Sequence, residues 1–256
     1  MTSASTRLGS SPSLTTFPAE ILFIVFQWID DHALLNLALT CRRLRSVFLS
    51  EYLDRHNIPY PSSTNMTIAT DSDYSALPMI GAIYPLHVLD ALTLWFHHGF
   101  GDLMYRQLDA ARLFICRSAY IRACNIYVPN ITRKATEASV VQFILSLNGL
   151  LGALDGKLHR RLCIDASNHP LLYEKLPSSS CRLTARPLRS LSEIRIRGDI
   201  MSWPWGIDWI IQTLNSSPIT QLHLTEVSLI ARDQTRTVAC LRRFALPKLL
   251  VLEVVG

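Results

Sequence analysis

The chain has 256 residues, enough for one sizeable hydrophobic core or for a small module followed by a larger domain. Hydrophobic residues make up 49% of it and charged residues only 18%, a balance that excludes a largely disordered chain. The formal net charge of +5 at pH 7 is small for this length, and the arginines are scattered without interleaved aromatic residues. No nucleic-acid-binding surface is therefore predicted.

The first 16 residues are rich in serine and threonine and lack the apolar segment of a secretory signal, so we predict a disordered leader. Six cysteines occur, none of them in a C-x2-C pair. We expect reduced thiols in a cytoplasmic or nuclear protein. The longest later apolar run, residues 138–154, is interrupted by polar residues and glycines. It predicts a core helix and no membrane span.

Helical patterning begins at residue 18 and continues to about residue 56, with a break at "DDH". Pro18 and Glu20 suit the first turn of a helix, and the two aspartates can cap the next one. The run "EILFIVF" is apolar nearly all round, so the first helix must be buried on more than one side. Two interpretations stay open: a partner chain covers the surplus apolar surface, or the helices start one large core.

Residues 57–75 are rich in proline, serine, threonine and aspartate, and we interpret them as a linker between two domains. The pattern then predicts a helix from Pro85 to Gly99. The following stretch is ambiguous, with short strands plausible around residues 112–116 and 124–128. From about residue 137, "EASVVQFILSLNGLLGAL" predicts a helix and "HRRLCIDAS" a short extended run.

The last third contains a repeated pattern. "LSEIRIRGD", "ITQLHLTEV" and "LLVLEVV" all follow L-x-x-L-x-L, and their central residues Ile194, Leu222 and Leu252 are 28 and 30 residues apart. "WGIDWIIQTLNSS" and "QTRTVACLRRFAL", which lie between them, have helical apolar spacing. A strand followed by a helix at this period predicts a solenoid, because no single repeat closes its own core. The pattern resembles degenerate leucine-rich repeats; an ordinary α/β domain is the alternative.

The opening run "FPAEILFIVFQWIDDHALLNLALTCRRLR" resembles an F-box, whose pattern is L-P-x-E-[IL]-L, then I-F, L-L and V-C-[RK]-x-[WL]. Phe17 and Val25 are mild departures from the usual Leu and Ile. The residues that fall on the pattern are Pro18, Glu20, Ile21, Leu22, Phe26, Ile29, Leu34, Leu35, Cys41, Arg42 and Leu44.

The F-box resemblance implies a three-helix module over residues 17–56 that docks on a Skp-family adaptor, and through it on a cullin and a RING subunit. It further implies a substrate-recognition subunit of an E3 ubiquitin ligase, whose C-terminal domain, residues 76–256, holds a protein substrate. The layout is similar to that of divergent fungal F-box proteins. The adaptor-binding residues implied are Phe17, Pro18, Ile21, Leu22, Val25, Phe26, Ile29, Leu34, Leu35, Cys41, Arg42 and Leu44.

The expected fold class is therefore α+β or α/β, with an N-terminal three-helix F-box and a degenerate leucine-rich-repeat-like β/α solenoid. Phe17, Pro18, Ile21, Leu22, Phe26 and Leu44 are the best candidates for anchoring the adaptor. A non-degradative scaffold with the same domains is the alternative. A small α/β enzyme is a third interpretation.

Signals for catalysis or metal binding are weak. His97 and His98 are adjacent and do not share a helix face, and their spacing to Cys116 and Cys124 fits no usual zinc site. The sequence contains no G-x-S-x-G, P-loop or H-E-x-x-H motif. We therefore predict no enzyme, no cofactor and no metal site.

Two features are candidates for substrate binding. Trp203 and Trp205 flank Pro204 between a predicted strand and helix, where they either pack in the core or anchor a bound protein. Arg195 and Arg197 alternate on "EIRIRGD", so both side chains face one side of the strand, as an anion site or as an ordinary solvated surface. At the end of the sequence, "LLVLEVVG" suggests that Leu252 and Val254 form an edge strand open to a partner, or that the natural array is longer.

Overall fold

The computed structural model describes most of the chain, namely residues 14–58, 64–83, 88–96, 101–128, 136–166, 188–198, 204–226 and 249–255. It describes the backbone alone at Leu35, Leu39, Ala82, Ile83, Glu137 and residues 204–207. The chain divides into two compact units, Met1–Arg55 and His56–Gly256.

The N-terminal unit contains a short 3-10 turn, Leu14–Thr16, and three helices: α1 (Ala19–Phe26), α2 (Asp31–Thr40) and α3 (Arg42–Arg55). Pro18 precedes α1, and the carboxylate of Asp30 accepts a 2.8 Å hydrogen bond from the Ala33 amide at the start of α2. This bond satisfies an amide that has no partner within the helix. The predicted helices are confirmed, and of the two aspartates Asp30 has the predicted capping role.

Arg55, the last residue of α3, connects the ends of the helices. Its guanidinium donates to the carbonyl oxygens of Phe26 and Ile29, to Asp31 at 3.2 Å and to Glu51 at 3.0 Å. Carbonyl groups at a helix C-terminus have no partner within the helix, so a half-buried guanidinium is well suited to them. Helices α1 and α2 both pack on α3.

The second unit is built on a seven-stranded sheet: β1 (Asn65–Ile68), β2 (Val88–Trp95), β3 (Tyr120–Tyr127), β4 (Leu158–Ala166), β5 (Glu193–Gly198), β6 (Gln221–Thr225) and β7 (Val251–Val255). Every strand is parallel to its neighbours, and the order across the sheet is the order along the chain. The described helices that lie between the strands in sequence are α4 (Leu77–Ile83), α5 (Asp102–Arg117), α6 (Glu137–Leu154) and α7 (Pro204–Ser216).

Two rows of apolar side chains cross one face of the sheet. They consist of Met66, Leu92, Cys124, Leu162, Ile194 and Leu222, and of Ile68, Leu94, Ile126, Ile164 and Ile196. None of these side chains is more than 3% exposed. Helices α5, α6 and α7 each add buried apolar residues to the core, among them Phe114, Phe143 and Trp209. Burial of each large side chain stabilises the unit by roughly 1.5–3 kcal/mol.

The structure confirms several predicted elements. Helix α6, the extended run at β4, the three repeat strands β5, β6 and β7, and helix α7 all lie where the sequence places them. Strand β3 covers most of the predicted strand at residues 124–128. The predicted helix "QTRTVACLRRFAL" lies outside the described residues.

Two predictions were wrong. The segment expected to be a helix from Pro85 forms β2, in which "ALTLW" buries Leu92 and Leu94 and exposes alternate residues between β1 and β3. The strand expected around residues 112–116 is part of α5, because Met104, Leu108, Ala111 and Ile115 recur at helical spacing.

The segment interpreted as a linker, residues 57–75, also differs from its prediction. It contains β1 and the start of a 3-10 turn at Tyr74–Ala76. Met66 and Ile68 alternate with exposed residues and are fully buried beside β2. A four-residue strand is too short to stand out from the surrounding polar residues, so only its pairing with β2 reveals it.

Candidate functional site

Helix α1 carries two apolar stripes. One consists of Leu22 and Phe26, both 0% exposed. The other consists of Ile21, Ile24, Val25 and Trp28, which recur at intervals of three and four residues and are 43%, 56%, 37% and 86% exposed. This explains why "EILFIVF" is apolar nearly all round: one stripe holds the helix in place and the other faces outward.

We name the second stripe the α1 outer stripe, formed by Ile21, Ile24, Val25 and Trp28. Single exposed apolar residues are ordinary on protein surfaces, but four large ones on one side of an eight-residue helix and the turn after it form a contiguous patch. Such patches mark sites of protein interaction. Trp28 is its most exposed member, and tryptophan is enriched among residues that dominate interface energies.

The segment before α1 is attached to α3. The guanidinium of Arg43 donates to the carbonyl oxygens of Thr15 and Phe17, both at 2.7 Å. These two bonds fix the backbone that leads into Pro18 and α1. The α1 outer stripe therefore lies on a helix that is held at its start by Arg43 and at its end by Arg55.

The predicted adaptor-binding residues fall into different environments. Pro18, Ile21, Val25 and Arg42 are exposed, and Phe17, Ile29 and Cys41 are half-buried. Four are fully buried, namely Leu22, Phe26, Leu34 and Leu44. The side chain of Leu35 lies outside the described residues. The set of predicted residues did not include Ile24 and Trp28, although the apolar character of every face of α1 was the signal that pointed to them.

Groups suited to metal binding are not assembled in the described part of the chain. There, no three His, Cys, Asp or Glu side chains are placed to hold a metal ion. Cys116 is exposed at the end of α5, whereas burial raises the pKa of the Cys124 thiol to about 12 and keeps it protonated at neutral pH. His97 and His98 lie outside the described residues. Among the helices the structure describes, none is long and apolar enough to cross a membrane.

Arg195 and Arg197 lie on the same exposed side of β5, as their alternation predicts, and both are already paired. Arg195 bonds Glu193 at 2.5 Å. Arg197 makes two 3.1 Å bonds to Glu226, and Asp165 lies 3.7 Å away. The hydrogen bonds with Glu226 raise the pKa of Arg197, and the same contact lowers the pKa of Glu226. An incoming anion would have to displace carboxylates from both guanidinium groups.

The remaining candidates are only partly described. Trp203 lies outside the described residues, and Trp205 is in the first turn of α7 with its side chain not described. Leu252 and Val254 on β7 are 57% and 63% exposed, and β7 pairs with β6 through the full length of both strands. In the described sheet β7 is the last strand, and a partner on its other edge stays a prediction.

Comparison with known protein families identifies the N-terminal module. Residues 14–57 match the family model described as F-box-like, and this range spans the 3-10 turn, helices α1, α2 and α3, and the α1 outer stripe. Comparison with curated proteins and with solved structures gave no match. F-box domains bind Skp-family adaptors and typically belong to non-catalytic adaptor subunits of E3 ubiquitin ligases. Residues 14–57 are thus an F-box-like domain, followed by an α/β region with a parallel sheet.

Proposed function

We propose that the chain is the substrate-recognition subunit of a Skp–cullin–F-box type E3 ubiquitin ligase. Residues 17–56 bind a Skp-family adaptor, and residues 76–256 hold a protein substrate. The observation that carries this proposal is the α1 outer stripe: exposed Ile24 and Trp28 stand within a segment that matches the F-box-like model. An apolar stripe that the chain does not bury by itself is what a stable protein interface requires.

In this proposal the residues of α1 have two different roles. Leu22 and Phe26 hold the helix in the folded module, and Ile21, Ile24, Val25 and Trp28 supply the area buried by the adaptor. Phe17 and Pro18 belong to the same contact, because Arg43 fixes the backbone at their position. Buried Leu34 and Leu44 then act indirectly, through the shape of the module.

The C-terminal sheet supports the second part of the proposal, a degenerate leucine-rich-repeat-like solenoid. In the described residues, each of α5, α6 and α7 joins two strands that are neighbours in the sheet. The strand order runs in one direction from β1 to β7, without the reversal that divides a doubly wound sheet. A one-directional order is what stacked strand–helix repeats produce, since each repeat contacts only its neighbours.

The proposed chain carries out no chemical step, and it acts in the cytoplasm or nucleus. It raises the local concentration of a bound substrate beside the ubiquitin-charged enzyme that the cullin and RING subunits recruit. Ubiquitin transfer is faster because the substrate and the charged enzyme are held in one assembly and no longer have to meet by diffusion.

Co-purification of the full chain with a Skp-family adaptor tests the proposal. The variant Ile24→Asp with Trp28→Asp places two charges in the α1 outer stripe without touching a buried side chain. Ser46→Asp, an exposed position on α3, is the matched control. We expect the native chain and the control to bind and the double variant to lose binding while it stays folded. A folded native chain that binds no adaptor would refute the proposal.

Reconstitution with the cullin and RING subunits separates the ligase from a scaffold. We expect ubiquitin transfer to proteins captured by the native chain. If adaptor binding is retained and no captured protein is modified, the chain is a non-degradative scaffold.

A further inference from the structure

The second face of the sheet is more polar than the first and ranges from buried Ala123 and Glu193, 6% and 7% exposed, to Trp95, 41% exposed. We name it the open face: the side chains of β2 to β6 that alternate with the two buried rows. Their register forms three rows, namely Ala91, Ala123, Arg161, Glu193 and Gln221; Thr93, Asn125, Cys163, Arg195 and His223; and Trp95, Tyr127, Asp165, Arg197 and Thr225.

Charged side chains on this face occur in pairs. Arg195 is paired with Glu193, and Arg197 with Glu226 and Asp165. His223, also on this face, is paired with Glu253 at 2.5 Å. Elsewhere on the strands, Arg122 is paired with Asp90 at 3.0 Å. The open face therefore satisfies its charges mostly within itself.

Arg161 is the exception. In the part of the chain that the structure describes, its guanidinium has no hydrogen bond and no ion pair, and its Nε atom is buried without a partner. The nearest carboxylate along its row, Glu193, is bonded to Arg195. A guanidinium that is partly withdrawn from water and has no acceptor within the protein has N–H donors that an anion can bind.

Small side chains stand beside Arg161 in its row. Its row continues on β3 and β2 with Ala123 and Ala91, whose methyl groups project little from the sheet. The next row contributes Asn125 and Thr93, which bond to each other at 3.0 Å.

An aromatic platform lies beyond these rows. The rings of Trp95 and Tyr127 are stacked with their centroids 3.6 Å apart and their planes 2° from parallel. Trp95 is 41% exposed, so much of its apolar surface is not used within the chain. An exposed, rigid aromatic side chain supplies contact area at low entropic cost.

We propose that the open face binds an extended segment of a protein substrate, which presents a carboxylate side chain to Arg161 and a large apolar side chain to Trp95. This inference rests on the proposed function, since it names the class of substrate that the C-terminal unit takes. A single carboxylate matches the single unpaired guanidinium. A phosphate carries about twice the charge and would call for a second available guanidinium, whereas Arg195 and Arg197 on this face are already paired with carboxylates.

The two contacts define a spacing in the bound segment. Arg161 and Trp95 are separated by two rows along the strands, about 13 Å, and by two strand spacings, about 10 Å. The direct separation is therefore about 16 Å, which an extended peptide spans in about five residues. The acidic and the apolar residue should thus lie about five positions apart.

The probe is an array of glycine–serine peptides, each about 12 residues long, that carry one Glu and one Trp at separations of about two to eight positions. The full chain is applied as native protein, as Arg161→Gln, as Trp95→Thr and as Arg106→Gln. The last variant is the matched control, since Arg106 is exposed on α5 and its substitution removes the same charge.

We expect the native chain and Arg106→Gln to bind peptides with Glu and Trp about five positions apart. Replacing Glu by Gln in the peptide, or Arg161 by Gln in the protein, should each weaken binding about tenfold, and the two changes together no further. Binding that ignores the peptide carboxylate, or that survives Arg161→Gln, overturns the inference. A second set of peptides carries phosphoserine in place of Glu, and tighter binding of these than of the Glu peptides overturns the inference as well.

Adaptor co-purification is measured on the same variants. If adaptor binding is intact and no peptide binds through Arg161, the inference about the open face fails alone. If the native chain binds the Glu–Trp peptides but no Skp-family adaptor, the proposed function fails and the peptide site stands.

Discussion

Truncation of neighbouring residues on α1 should separate stability from binding. Leu22 is 0% exposed and Ile24 is 56% exposed, although the two are only two positions apart. Leu22→Ala removes buried methyl groups and leaves a cavity, so the free energy of unfolding of the N-terminal unit should fall by about 2–5 kcal/mol. Ile24→Ala removes atoms that are mostly in water, and its effect should stay within about 0.5 kcal/mol.

Amide hydrogen exchange over α1, α2 and α3 is the suitable assay, because it reports the stability of this unit apart from that of the sheet. Each factor of ten in the exchange rate of amides that open with the unit corresponds to about 1.4 kcal/mol. Leu22→Ala should therefore accelerate exchange by more than tenfold, and Ile24→Ala by less than threefold.

The two changes should have the opposite effect on adaptor binding: Ile24→Ala should weaken binding directly, although it destabilises the unit less than Leu22→Ala does. Ile24→Ala should weaken adaptor binding in a fully folded chain, and Leu22→Ala should weaken it only in proportion to unfolding. Equal destabilisation by the two changes would contradict the assignment of the two stripes. Full adaptor binding by a folded variant that lacks both Ile24 and Trp28 would contradict the role of the α1 outer stripe.

Three further results are expected. Arg55→Met should lower the stability of the N-terminal unit by about 1–3 kcal/mol, because two carbonyl oxygens at the end of α1 lose a charged donor; unchanged exchange in α1 would speak against this. Leu162→Ala, at the centre of a buried row, should cost about 3 kcal/mol in denaturant unfolding of the C-terminal unit, and a cost below about 1 kcal/mol would count against the row. Cys124, whose pKa is raised by burial from 9.0 to about 12, should resist alkylation at pH 8 while exposed Cys116 reacts. Between pH 9 and pH 12 only the unfolded chain ionises the Cys124 thiol, so the free energy of unfolding should decline as the pH rises from about 9 to about 12.

The prediction of β2 shows where local patterns mislead. Leu89 and Leu92 are three positions apart, a helical interval, and Leu92 and Leu94 are two apart, a strand interval. A helix and a strand would both bury leucines, so the sequence alone does not decide between them. β2 pairs with β1 on one side and with β3 on the other, and only the sheet can supply these hydrogen bonds. The segment is therefore a strand.

The adaptor-binding residues show a related limit. The apolar run of α1 indicates two covered faces, but a periodic pattern does not say which face the chain covers by itself. Leu22 and Phe26 match the F-box pattern as well as Ile21 and Val25 do, and the structure buries the first two and exposes the others. Conformity to a motif identifies the module, whereas exposure decides which side chains are available for contact.

By itself, the sequence determined the three N-terminal helices, the F-box-like module and the three L-x-L strands, because caps and alternating apolar residues act over a few positions. The tertiary structure alone decided the strand character of β1 and β2, the pairing of Arg197 with Glu226 and Asp165, and the isolation of Arg161. All three depend on register between strands that are about 30 residues apart in the chain, and register is fixed by the packing of the whole sheet.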